Sequence, residues 1–254
     1  MIIRKSPQEL ERMRRAGRIV AGTISAVLEA VRPGVTTADL DRVAESWIRD
    51  QHAVPSFKGY RGTYPATICA SIDDEIVHGI PSADRTLREG QLLSLDFGAI
   101  WEGFHADSAV SVFVGGVSPS EEAARLMKTT EEAMYAGIAA VQPGGRLSDI
   151  GHAIESVAEP AGLGIVREYG GHGIGRSMHE DPFIQNWGPP GRGPSLRPGL
   201  VIAIEPMLML GDERTRLLDD GWTVVTADGS LAAHFEHTVA ITELGPEVLT
   251  SRDR

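Results

Sequence analysis

The stretch LLSLDFGAIWEGFHAD, residues 92–107, decides the fold. It opens as an apolar run, Leu92 to Leu95, that ends on Asp96. Nearly every residue is apolar or aromatic, so the pattern predicts a strand buried on both faces. Glu102-Gly103 supplies a turn, and a second strand starts at Asp107 and continues through Val110, Val112 and Phe113. A hairpin about that turn sets Asp96 and Asp107 roughly opposite each other. A buried carboxylate must be paired or must bind a metal. Two facing carboxylates repel unless something positive lies between them. For this pair alone the competing reading is one buried salt bridge and one exposed turn aspartate.

The same pattern occurs twice. LREGQLLSLD (87–96) returns as LRPGLVIAIE (196–205), with Glu205 in the place of Asp96. DSAVSV from Asp107 is answered by EHTVAI from Glu236. In the helical parts, Val31-Arg32-Pro33-Gly34 parallels Val141-Gln142-Pro143-Gly144, an offset of 110 residues that Glu45-Ser46 and Glu155-Ser156 share. This is a two-unit duplication rather than a solenoid of short repeats. The expectation is one catalytic domain, 1–254, with half-repeats of approximately 1–117 and 118–254. Two halves about a pseudo-twofold bring Asp96, Asp107, Glu205 and Glu236 together. Four acids without buried bases call for cations.

The chain has 254 residues and a formal charge of −11, which disfavours a nucleic-acid or acidic-membrane partner. Cys69 is the single cysteine, so no internal disulfide forms, as suits a reducing compartment. The start lacks a signal-peptide apolar region, and no run reaches membrane-spanning length. A cytoplasmic location follows as the expectation.

Ser6-Pro7-Gln8-Glu9 reads as a capping box with proline at the first helical position. Thr36 or Thr37 caps a second helix, 38 to about 50. Residues 51–64 read as a loop carrying Phe57, Tyr60 and Tyr64, and 67–71 as a short strand. Ser118-Pro119-Ser120-Glu121 repeats the helix-start signal. That third helix runs to about 141, and a fourth from about 148 to 161. Residues 188–199 form a Pro- and Gly-rich loop, and 224–226 and 236–242 are strands.

His172 is the fifth ligand candidate. It lies in EYGGHGIG (168–175), where flanking glycines let the backbone approach the metals closely. Neither a phosphate-loop lysine, a His-Glu-x-x-His helix nor a Gly-x-Ser-x-Gly elbow is present. His78, in VHGIP, echoes His172-Gly173-Ile174 and reads otherwise as a turn histidine. One histidine and four carboxylates suit two divalent ions such as Co, Mn, Fe or Zn. Metal-assisted hydrolysis, most readily of an amide, is the reaction class.

The order Asp96, Asp107, His172, Glu205, Glu236, with GGHGIGRSMHEDP and VIAIEPM, resembles the methionine aminopeptidases of the bacterial type I form. The resemblance spans nearly the whole chain, from the Pro7 helix to Thr250. It implies the α/β pita-bread fold: pseudo-twofold halves, a central antiparallel sheet and outer helices. It also implies that Asp107 and Glu236 bridge two metals, that Asp96 completes one site, and that His172 and Glu205 complete the other. Glu205 handles the proton of the attacking water, His179 stabilises the tetrahedral intermediate, and His78 bonds the scissile nitrogen or nearby backbone. The substrate methionine lies among Phe57, Tyr60, Tyr64, Cys69, Met178 and Trp222, for which ordinary core packing is the alternative. The partners implied are nascent polypeptide N-termini with a small second residue, and a transient ribosome contact, for a monomer. Arg61, where some members carry histidine, Thr63 and Met178 depart from the familiar pattern.

Two other classes stay open. A Xaa-Pro aminopeptidase or dipeptidase shares the fold but usually carries a large amino-terminal domain, whereas this chain starts directly with the catalytic half. A binding protein on the same fold loses ligand residues, and here all five candidates are present.

Overall fold

The computed structural model describes residues 1–252. In chain order the elements are α1 (Pro7–Ala30), α2 (Thr37–Asp50), β1 (Val54–Pro55), β2 (Ile68–Ile72), β3 (Glu75–Val77), β4 (Leu92–Trp101) and β5 (Phe104–Phe113). There follow α3 (Glu121–Ala139), α4 (Ser148–Ala158), β6 (Gly164–Ile165), β7 (Gly171–Gly173), β8 (Glu180–Ile184), β9 (Val201–Ile204) and β10 (Met207–Met209). The chain closes with β11 (Thr215–Leu217), β12 (Val224–Thr226), β13 (Ala232–His234), β14 (His237–Thr242) and β15 (Gly245–Val248).

All described strand pairs are antiparallel. They fall into four ladders rather than one continuous sheet. Helices α1 and α2 pack on the strands of the first half, and α3 and α4 on β6, β8, β9, β10 and β13. The main core lies between these layers and includes Ile19, Ile24, Leu40, Leu93, Phe97, Ile150 and Ile204.

The opening hairpin forms about the expected turn, with Glu102 and Gly103 both at positive φ. Its closing pair is Trp101↔Phe104. A two-residue loop fixes every pair behind it, so Asp96 lies opposite Ala109 and Asp107 opposite Gly98. The two acids are therefore diagonal neighbours, which refines the rough opposition expected from the sequence. Residues i and j±2 share a face, so both side chains still point to one side.

Helix starts follow local hydrogen bonding. Ser6 and Glu9 form the expected reciprocal capping box. Thr36, not Thr37, caps α2, paired with Asp39 in a second box. The third start differs from expectation: Ser120 caps α3 by accepting from the Ala123 amide at 3.1 Å, while the Ser118 hydroxyl donates to the Ser120 carbonyl. Helix α3 ends at Ala139 and α4 at Ala158, each short of its expected limit.

The acids meet where β5 runs beside β14. The Asp107 amide donates to Thr238 Oγ1 at 2.9 Å, and that hydroxyl donates back to the Asp107 carbonyl at 2.7 Å. Two residues on, the Glu236 amide donates to the Ala109 carbonyl at 3.0 Å. Ser108 Oγ adds a bond to the Glu236 carbonyl at 2.6 Å.

The amino-terminal segment is anchored by an ion pair, Lys5 Nζ to Glu180 Oε2 at 2.8 Å, with side chains only 2% and 7% exposed. Removing one member of a buried pair strands the other charge. Lys5→Met should therefore destabilise the fold by roughly 3–5 kcal/mol. The double variant Lys5→Met/Glu180→Gln should recover much of that loss in chemical denaturation. Equal stability of the single variant and the parent would show that the pair carries no weight.

Candidate metal centre and its cavity

All thirteen site residues selected from the sequence line one cavity of about 430 Å³. Asp96 and Asp107 come from β4 and β5, His172 from β7, Glu205 follows β9, and Glu236 precedes β14. His172 Nε2 lies 3.5 Å from Glu205 Oε1 and 4.0 Å from Asp107 Oδ2. Ligand-type atoms of Asp107, His172 and Glu236 fall within 4.8 Å of one another.

Glycine on both sides places His172 within the sheet. A Cβ on Gly171 would sit 2.3 Å from the Ala203 carbonyl oxygen, and one on Gly173 2.2 Å from that of Asp181. The two glycines let β7 press between its neighbours β8 and β9. The His172 ring is oriented by its Nδ1, 2.9 Å from the Gly173 carbonyl. With Nδ1–H donating there, Nε2 presents its lone pair to the carboxylates, the tautomer a metal ligand needs.

The four acids meet no lysine or arginine among the described residues. Asp96 Oδ1, Asp107 Oδ1 and Glu236 Oε1 are buried without a hydrogen-bond partner. Burial is the first cause that raises the pKa of all four acids and so disfavours their ionised forms. Mutual repulsion is the second for three of them: Glu236 and Asp96 act on Asp107, Asp107 and Asp96 on Glu205, and Glu205 and Asp96 on Glu236. Orphaned buried carboxylate oxygens and an imidazole lone pair form a donor set that fits divalent cations.

Above these acids stand neutral imidazoles. Burial lowers the pKa of His78 and His179 to about 4, and that of His172 to about 3. His179 Nδ1 is 2.7 Å from the Tyr60 hydroxyl, and its ring lies 4.2 Å from that of His172, centre to centre. His78 adopts a positive φ of 62° and packs edge-on against Trp222 and Tyr169.

One wall is a separate apolar cluster: Phe57, Tyr64, Ala66, Cys69 and Met178, with Tyr60, Ile80 and Trp222 against it. Its separation from the main core argues against ordinary core packing. Tyr64 meets Trp222 edge-on at 5.1 Å, and its hydroxyl shares its one proton between the Ile68 and Gly79 carbonyls, 3.0 and 3.2 Å away. Of the three departures, Met178 is buried in this wall. Arg61 lines the cavity with its guanidinium 5.5 Å from the Tyr60 ring centre, and Thr63 is exposed outside it. Sequence reasoning missed His234, Tyr169, Met207 and Phe183, which also line the cavity. Only His234, two residues before Glu236, carried a signal that could have found it.

The sequence model of Metallopeptidase family M24 matches residues 11–243. Methionine aminopeptidase of Clostridium acetobutylicum is 52% identical over 250 residues, 98% of this chain and 99% of its own. Methionine aminopeptidase 1 of Mycobacterium tuberculosis is 52% identical over 256 residues, 98% of this chain and 95% of its own. The crystal structure of methionine aminopeptidase from Thermotoga maritima superposes with a TM-score of 0.96 at 42% identity, covering 99% of this chain and all of that one. The prolidase of Pyrococcus furiosus, 23% identical with a TM-score of 0.76 over 99% of this chain and 66% of its own, shares the fold alone. No described helix is long and apolar enough to cross a membrane. The fold is the pita-bread fold, and the chain belongs to metallopeptidase family M24, within it to the bacterial type I methionine aminopeptidases.

Proposed function

We propose that this chain removes the initiator methionine from nascent proteins and peptides whose second residue is small, using two divalent ions. The observation that carries the reading is a floor of four acids, buried or nearly so, and one oriented imidazole in the same cavity as an apolar aromatic wall. The chain acts as a single catalytic domain of two half-repeats, 1–117 and 118–254. It works as a cytoplasmic monomer that meets nascent chains with a transient ribosome contact.

Asp107 and Glu236 would bridge the ions, Asp96 would complete one site, and His172 with Glu205 the other. Bound divalent ions supply Lewis acidity and a lowered pKa for water. Glu205 receives the proton of the attacking water. His179, with Nδ1 accepting from the Tyr60 hydroxyl, keeps Nε2–H as a donor for the developing oxyanion. His78 holds the scissile nitrogen or adjacent backbone. The acid-rich floor beside Asp96 and Asp107 receives the free α-amine.

Metal removal gives a pH-dependent prediction. In the metal-free fold the acids bind protons more tightly than in the unfolded chain. Stability is then lost as pH rises above the ordinary carboxylate range of about 4. The gap in thermal midpoint between loaded and chelator-treated protein should therefore be wider at about pH 8 than at about pH 5. A gap that narrows on going to pH 8 would contradict the mutual repulsion. Glu236→Ala should lose both ions and most activity by metal analysis and turnover.

His179→Ala should lower kcat by roughly 10²–10³-fold, the cost of one transition-state donor, with little change in KM. A pure KM effect would move His179 to ground-state binding.

Burying a methionine side chain contributes roughly 1.5–3 kcal/mol, or roughly 10–10²-fold in kcat/KM over alanine. Met-Gly-Ser and Met-Ala-Ser should be cut rapidly, Ala-Gly-Ser poorly and acetyl-Met-Gly-Ser not at all. A Xaa-Pro enzyme would prefer a Gly-Pro substrate, and faster cleavage of that peptide than of Met-Gly-Ser would overturn the methionine assignment.

A further inference from the structure

His234 closes β13 directly opposite Met207 of β10. Its backbone is clamped at both polar groups. The His234 amide donates to Ser111 Oγ at 3.0 Å, and the Ser111 hydroxyl donates to the His234 carbonyl at 2.9 Å. Ser111 lies 2.7 Å from Ser94 Oγ, and both serines belong to the hairpin that carries Asp96 and Asp107. The root of the imidazole is thus fixed relative to the acids.

The ring lines the cavity with its side chain only 3% exposed, and its Nε2 has no hydrogen-bond partner. That nitrogen lies 3.7 Å from Glu205 Oε2, while Glu205 Oε1 lies 3.5 Å from His172 Nε2. One carboxylate therefore stands between two imidazoles, each beside a different oxygen. The His172 tautomer is set by the Gly173 carbonyl, which leaves a lone pair on its Nε2. A second lone pair aimed at Oε2 would be repulsive, whereas an N–H there is attractive.

We infer that His234 is a positioning residue: its Nε2–H holds Glu205 through Oε2, which reserves Oε1 for the side of the cavity that His172 faces. The inference rests on the proposed role of Glu205 as metal ligand and proton acceptor. The present separation is about 0.5 Å beyond hydrogen-bond reach. Hydrogen bonds of catalytic groups are often long before substrate binds and tighten in the complex. Holding the free oxygen fixes the carboxylate plane, on which both ligation and proton transfer depend.

The test uses the full chain with Mn²⁺ as probe, comparing His234→Leu, which cannot donate, with His234→Gln, whose amide can. Calorimetric titration should show Mn²⁺ binding weakened by roughly 10–100-fold in His234→Leu, the usual cost of losing such a partner. Its kcat on Met-Ala-Ser should fall with KM nearly unchanged, and His234→Gln should restore both. Thermal melts of the chelated variants check the fold, and His234→Met serves as the non-donor if the leucine variant does not fold. Parental affinity and kcat in the folded non-donor would overturn the inference. So would a folded His234→Gln as impaired as the non-donor. A parent chain that binds no Mn²⁺ would instead overturn the metal reading of the whole site.

Discussion

Four carboxylates gathered in one buried place repel each other, and much of this structure is an apparatus for holding them there. The repulsion is resisted by backbone, not by counter-charge. Thr238 binds both backbone groups of Asp107, Ser108 binds the carbonyl of Glu236, and the amide of Glu236 binds Ala109. These bonds join β5 to β14 and leave the acids no lysine or arginine among the described residues. Such an arrangement persists because the surrounding core is large and because cations relieve the stress. The neutral imidazoles above it are a corollary. The burial that raises the pKa of the acids also lowers that of His78, His172 and His179 and keeps them uncharged.

The acids and the first two helix starts were legible because each is set by local chemistry. Asp96 and Glu205 end matching apolar runs, and Ser6 and Thr36 announce their helices through partners three residues on. The hairpin register was less legible. It depends on where the loop closes, and Trp101↔Phe104 moves Asp96 onto Ala109 without altering which face it uses. The Ser-Pro-x-Glu pattern recurs at 118–121, yet the cap shifts to Ser120 because two serines compete and the second reaches the Ala123 amide. Short strands such as β7, β10 and β13 have too few residues for any periodicity to register. The packing constraint on Gly171 and Gly173 was hidden for a different reason. The carbonyls of Ala203 and Asp181 that exclude a side chain come from segments distant or uninformative in sequence.

The aromatic wall shows how a loop with only a two-residue strand and one 3-10 turn becomes a defined surface. Residues 51–64 carry little local preference, and only the short β1 pairs with the hairpin. Order comes from tertiary contacts: Gly98, opposite Asp107, leaves space in which Ser56 and Phe57 lie against β4. The same hairpin therefore supports both the acid floor and one side of the slot.

That slot exists before any occupant arrives. Tyr64 is held by its buried hydroxyl, whose one proton lies between the Ile68 and Gly79 carbonyls, and its edge-on contact with Trp222 sets a second ring. A side chain entering it meets little reorganisation of the host, so the ordering entropy falls mainly on the guest. In a calorimeter the event should carry a negative heat-capacity change, the mark of apolar surface leaving water.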